Sequence, residues 1–417
     1  MDPLGRAAGP VSPEIARLAV ADGPHPGVNE LLSQVSLVDH HVHSIATGRI
    51  DRATFVEMLT ESDRPAAAAV TGLDSQIGHA VRRWCAPLLG LEPHVAADAY
   101  LAHRLAFSNE EIGQKLLPHC GLERLLIDTG YRDGELLGLG ALAELAAAPV
   151  DTIVRLEALA ERVALAGPTA ADFASAFSAA LATELAQAIG CKSIVAYRHG
   201  LDVAASPPSA AEVASHAGPW LREIEAGGSA RLVDPVLLSF VLWEGAATGK
   251  PLQIHTGYGD TDLHLSRSDP LLLTDFLRAT ERTCPVLLLH TYPFQRNAGY
   301  LAQMFPHVFL DVGLAVNYAG AQSPQIIAES LEVAPFSKIL FSSDAAGLPE
   351  LHLLGSWLFR RGMSRVIGSW VERGDWSLPD AERVIGLVAG GNARRVYRLP
   401  EPAATATKQR PGTRAVE

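Results

Sequence analysis

Short runs dense in apolar residues recur along the chain, and most close on a polar or charged group. The runs are Val35–His40, Arg124–Asp128, Asp151–Glu157, Lys192–Arg198, Leu252–His255, Val286–His290, Val308–Asp311 and Lys338–Asp344. Runs of this length and composition predict strands buried on both faces of a parallel sheet. Longer stretches with helical periodicity lie between them: 169–189, 234–249, 269–282, 323–333 and 349–361. Repeated strand–helix alternation predicts an α/β chain folded as a (β/α)8 TIM barrel.

The pattern changes once, after the first strand. Residues from about 50 to 119 are rich in alanine and read as helices over 51–60, 75–89, 95–107 and 108–117. Ser108 and Glu111 form a capping box at the start of the last of these. Loops after barrel strands lie on the active-site face, so this helical insertion is expected to cover the mouth or build a subunit contact. Residues 378–399 read as two closing helices. Residues 1–27 read as an irregular arm, 28–400 as one barrel domain, and 401–417 as a disordered tail.

Composition narrows the function. The chain has 417 residues, is 48% hydrophobic and 19% charged, and carries a formal net charge of −12. An acidic chain without a basic run does not suit nucleic acid or an anionic membrane. No stretch is long and apolar enough to span a bilayer, and the start lacks a signal-peptide pattern. Cys85, Cys120, Cys191 and Cys284 show no paired spacing and are expected to be reduced, buried thiols. These features lead us to expect a cytoplasmic protein acting on a small molecule, with a homo-oligomer compatible.

A barrel builds its site at the carboxyl ends of its strands. Here those ends carry His41 and His43, Asp128, Glu157, Tyr197 and Arg198, His255, His290, Asp311 and Asp344. Alternation along a strand puts His41 and His43 on one face and His40 on the other. Four histidines and an aspartate converging on one mouth suit a divalent ion such as zinc, manganese, iron or nickel. Bland roles stay open: Asp344 as a helix cap, His255 and His290 as core histidines, and Glu157 with Arg198 as a structural ion pair at the rim. Asp128 and Asp311 read as structural, and His264 and His352 as surface or neighbouring groups.

The order His41-Val42-His43, His255, His290, Asp344 resembles the metal-dependent amidohydrolase superfamily. Three stretches are similar to its amidohydrolase-2 branch: Leu252–Asp260, Lys192–Leu201, and His290-Thr291-Tyr292-Pro293 together with Ser342-Ser343-Asp344-Ala345. They look most like the amidohydrolase-like N-terminal half of fungal and plant proteins fused to a glutamine-synthetase-like domain. The similarity covers about 35–399, which suggests a free-standing version. His40 stands where that branch commonly has an amide, and His352 where it has an aromatic.

The resemblance implies metal-dependent hydrolysis of a C–N bond in a small carboxylated substrate, such as a γ-glutamyl amide. It implies His41, His43, His255 and Asp344 as ligands of one divalent ion, zinc first. Asp344 would be the general base and His290 would polarise the carbonyl or add a ligand. Arg198 would take a substrate carboxylate, Glu157 an ammonium, and Tyr197 would line the site. A decarboxylase of the same branch and a non-catalytic metal-binding barrel are the alternatives. A single ion is expected because two-metal members commonly bridge through a strand-four lysine or glutamate. Lys192 stands six residues before Arg198, roughly 20 Å from the mouth at a strand's rise per residue.

Overall fold

The computed structural model describes residues 13–64, 72–131 and 134–400. Seven strands are assigned among them: β1 (Leu37–Val42), β2 (Leu122–Asp128), β3 (Val150–Arg155), β4 (Gly190–Ser193), β5 (Leu252–His255), β6 (Val286–Leu289) and β7 (Val308–Leu310). They hydrogen-bond in chain order, and every pair is parallel.

The eighth run is extended but forms no regular ladder. It still joins both edges: Leu340 N donates to Leu310 O at 3.0 Å, and His40 N donates to Phe341 O at 3.2 Å. Asp344 N also donates to His41 O, and His43 N to Ala345 O. Asp39 fastens the segment further, accepting from Ser343 N at 2.9 Å and Ser343 Oγ at 2.5 Å. The sheet thus closes on itself in a TIM-barrel-like α/β fold, which leaves no free strand edge.

Alternation along the strands builds the interior. Val38, Leu126, Ile153, Leu287, Leu289, Phe309 and Leu340 form an inner apolar cluster, plugged by Val396 and Tyr397 of the last helix, Asn392–Tyr397. Their neighbours Leu125, Val154, Val286, Leu288 and Leu310 face the surrounding helices. Two residues further on, three of these inner positions give way to charge: Leu126 leads to Asp128, Ile153 to Arg155, Phe309 to Asp311.

Several boundaries differ from expectation. The arm is helical over Pro13–Val20, and a second helix begins at Pro26; Val28 and Leu32 of the latter are buried in the core. Strand three stops at Arg155, and Leu156–Leu165 is a helix. Strand four stops at Ser193 and is followed by a helical turn, Val195–Arg198. The reason is tertiary. The Glu157 carboxylate accepts from Ser193 Oγ at 2.6 Å and Ile194 N at 3.0 Å, and Ser193 Oγ accepts from Val195 N. Those bonds end the ladder where β-propensity alone would continue it. His352 is buried in the helix Pro349–Glu372, not at the surface. The expected tail, 401–417, lies outside the described residues.

Between β1 and β2 run helices Arg52–Glu57, Gln76–Ala80, Ala97–Arg104 and Asn109–Leu116, with a π-helical turn at Val81–Cys85. An ion pair buried on both sides ties them to the barrel. Arg104 Nε donates to Glu350 Oε1 at 2.6 Å and Tyr100 Oη to the same oxygen at 3.1 Å, while Arg104 Nη2 reaches Glu350 Oε2 at 3.4 Å. No helix among the described residues is long and apolar enough to cross a membrane.

Candidate metal centre

The ladder between β1 and β2 carries a bulge. Asp39 pairs with Leu125 and Val42 with Ile127, so three steps on β1 match two on β2. The extra residue breaks alternation. By alternation His40 shares the inward face of Val38, and the extra residue lets His41 turn inward beside it, so the two are not on opposite faces. His40 Nε2 lies 3.0 Å from Asp311 Oδ2 and its Nδ1 3.2 Å from Tyr397 Oη.

The proton positions on His41 and His43 follow from their neighbours. Gln253 Nε2 donates to the His40 carbonyl and to Tyr397 Oη, both at 2.7 Å. Its Oε1 must then accept from His41 Nδ1, at 2.8 Å. His43 Nδ1 sits 3.1 Å from the Asp128 carbonyl and can only donate to it. Both Nε2 atoms are left with lone pairs. These face Asp344 Oδ1, at 3.1 Å from His41 and 3.6 Å from His43. One donor atom from each of the three residues lies within 4.8 Å of the others. His290 Nε2 lies 3.3 Å from Asp344 Oδ2, and neither His290 ring nitrogen has a hydrogen-bond partner.

Burial holds His41 and His290 well below the ordinary histidine range and His43 down at about 3, so the rings are neutral. Burial also pushes Asp344 up to about 6, against the pull of His43 and Lys192. Acceptors facing acceptors in a buried cluster are unfavourable unless a cation or proton stands between them. Two neutral imidazoles and a carboxylate are a donor set that fits a divalent metal.

The distance argument about Lys192 fails. In the short β4, Lys192 pairs with Arg155 on one side and Gln253 on the other and points into the barrel. Its Nζ is 3.0 Å from His41 Nε2 and 3.8 Å from Asp128 Oδ2. Arg155, read only as part of a strand, also reaches the site. Its Nε and Nη2 hold Asp128 Oδ2 at 3.0 and 2.6 Å. Burial opposes ionisation of Asp128, but Arg155 and Lys192 together keep it well below the usual carboxylate range. Two cations thus share one structural anion at the inner wall.

The other expected residues divide. His255 lines the cavity with its ring 4.7 Å from that of His290, but its Nε2 is bonded to the Tyr258 carbonyl at 3.0 Å. It therefore lies outside the tight His41–His43–Asp344 group. Tyr197 lines the cavity, its ring 4.2 Å from that of His255. Glu157 is fully buried and absent from the cavity wall, with Oε1 accepting from Ser193 and Ile194. Arg198 lines the cavity but pairs with Glu161 at 3.1 Å, so neither a Glu157 pair nor a free fork is present.

The cavity encloses about 410 Å³. His43, His290, Asp344, Lys192 and Arg155 make its floor, and Glu57, Glu61 and Asp63 of the insertion contribute to its wall together with Asp260 and Tyr318. Three residues at the strand ends have left-handed backbone: His290 (φ 69°), Thr291 (φ 46°) and Asp344 (φ 49°). Such angles cost a residue with a Cβ free energy and cluster where a side chain must be aimed.

Residues 240–399 match the amidohydrolase family model. The fluG protein of Emericella nidulans is 29% identical over 312 residues, 67% of this chain and 36% of that protein. The chain therefore spans about a third of the length of that curated relative. A crystal structure from Lactobacillus casei, provisionally described as a metal-dependent hydrolase, is 29% identical. It covers 88% of this chain and 96% of its own, with a TM-score of 0.78. A uronate isomerase from Bacillus halodurans shares the fold alone, at 13% identity, TM-score 0.58 and coverage of 96% and 98%. Over these stretches the chain is similar to the amidohydrolase-2 branch and to part of fluG.

Proposed function

We propose that the chain hydrolyses a C–N bond in a small carboxylated compound with the help of a divalent ion, zinc first. The observation that carries this is the set of lone pairs of His41, His43 and Asp344, gathered beside Lys192 and Arg155 at the floor of the cavity. His41 Nε2, His43 Nε2 and Asp344 would hold the ion, with His255 joining only through Nδ1. A divalent ion supplies Lewis acidity toward a carbonyl and acidifies water.

The chain's own groups do the rest. Asp344 takes the proton of the attacking water as its oxygen bonds to the amide carbon. His290 donates an N–H to the carbonyl oxygen. Asp344 returns the proton to the departing nitrogen as the C–N bond breaks, leaving a carboxylic acid and an amine. Arg155 and Lys192 would draw a substrate carboxylate to the cavity floor by their charge in place of Arg198, the Arg155 fork itself being held by Asp128 and the Gly130 carbonyl. A γ-glutamyl amide is the specific candidate; its ammonium would face Glu61 and Asp260 in place of Glu157. Lys192, now beside His41, removes the reason for expecting only one ion.

Cations beside the metal donors also favour a second reading, decarboxylation of a held carboxylate. The test is metal analysis of purified protein, then a screen of γ-glutamyl amides scored for released amine and released CO₂. Amine release that depends on bound metal is expected; CO₂ without amine would select the second reading.

A further inference from the structure

The mechanism leaves one buried network unused, and it starts on a candidate ligand. His41 Nδ1 donates to Gln253 Oε1, and Gln253 Nε2 donates to Tyr397 Oη. Tyr397 Oη lies 3.2 Å from His40 Nδ1, and His40 Nε2 lies 3.0 Å from Asp311 Oδ2. Asp311 Oδ1 in turn accepts from His290 N at 3.0 Å, Gly313 N at 2.9 Å and Ser342 Oγ at 2.8 Å. Every residue in this chain of bonds, Gly313 included, is buried.

One amide fixes the directions that matter. Gln253 Nε2 has protons only to give, so the His40 carbonyl and the Tyr397 oxygen both accept from it. A flipped Gln253 amide would press its oxygen against the His40 carbonyl at 2.7 Å. The amide is therefore locked, and so is the proton on His41 Nδ1. Lys192 Nζ, 3.0 Å from His41 Nε2, agrees from the other side, since it offers donors to a lone pair.

We infer that Gln253 and Tyr397 are positioning residues that fix the His41 tautomer, with the Gln253 amide held in turn by the His40 carbonyl. The inference rests on the reading of His41 as a metal donor, and it gives the closing helix Asn392–Tyr397 a part in the site. Groups that orient a metal-binding imidazole commonly change affinity by about 10–100-fold when lost.

The test uses full-length, metal-free protein labelled with ¹⁵N-histidine, with the His41 signals assigned by their loss in His41→Ala. Wild type should show a protonated Nδ1 and an unprotonated Nε2 at His41. Gln253→Leu should mix the two tautomers and weaken Zn²⁺ binding, read by competition with a chelating dye, by about 10–100-fold. Tyr397→Phe should act in the same direction at the lower end of that range, and it carries the test if Gln253→Leu does not fold. A protonated Nε2 in wild type would overturn the inference. So would an unchanged tautomer and unchanged Zn²⁺ affinity in the folded variants. Failure of wild type to bind Zn²⁺ would sink the metal reading while leaving the tautomer result standing.

Discussion

Two buried carboxylates, Glu350 and Asp344, stand six residues apart and are used in opposite ways. Both oxygens of Glu350 meet donors, from Arg104 and Tyr100. Both oxygens of Asp344 face imidazole nitrogens, and two of those nitrogens carry lone pairs. Burial is alike in kind, while satisfaction differs. Polar groups that only hold a fold together are paired donor to acceptor. Lys192 Nζ offers a donor to His41 Nε2, but His43 Nε2 and Asp344 still face each other as acceptors, which makes sense as a place to hold a cation.

Cutting each cluster separates the two uses. Glu350→Ala leaves Arg104 buried without its counter-charge and should cost about 3–5 kcal/mol in urea unfolding. Removing metal should act through the other cluster. At metal 100-fold above its dissociation constant, chelation should lower unfolding free energy by about 2.7 kcal/mol, measured with and without chelator. No change on chelation would deny the cluster its ion. Arg155→Lys keeps the charge but loses the fork that Asp128 holds at the cavity floor, so KM should rise by the equivalent of about 1–3 kcal/mol. Arg198→Lys, already paired with Glu161, should leave KM nearly unchanged, and the reverse pattern would restore Arg198 as the anchor. The smallest effect sharpens the contrast most. Asp344→Asn in metal-free protein should change stability by less than about 1 kcal/mol, because the amide can donate to an imidazole lone pair. A large loss there would make Asp344 structural, like Glu350.

The eight apolar runs were legible because burial on both faces leaves a compositional mark, and most polar strand ends followed from them. What sequence hid depends on contacts between distant segments. Strand four reads as continuing to Arg198, since Ile194, Val195 and Tyr197 favour strands. Its real end is set by Glu157, 37 residues away from Ile194. The error carried Lys192 from the site to the far end of the barrel. A signal was present: a lysine enclosed in Gly190–Ser193, every residue of which is buried, has to find a counter-charge. Arg155 was missed likewise, because Leu156 and Glu157 prolong the apparent strand. His40 and His41 were assigned to opposite faces because a one-residue bulge leaves no mark in composition.

The left-handed backbone at His290 and Asp344 bears on how this protein would respond to selection for heat resistance. Glycine occupies such angles without strain, and relieving one contributes on the order of 1 kcal/mol. That relief competes with the cavity a lost His290 ring would leave and with the ion Asp344 would help to hold. A thermostabilisation campaign on this chain therefore gains more by leaving these two positions alone and working on the helices around the barrel.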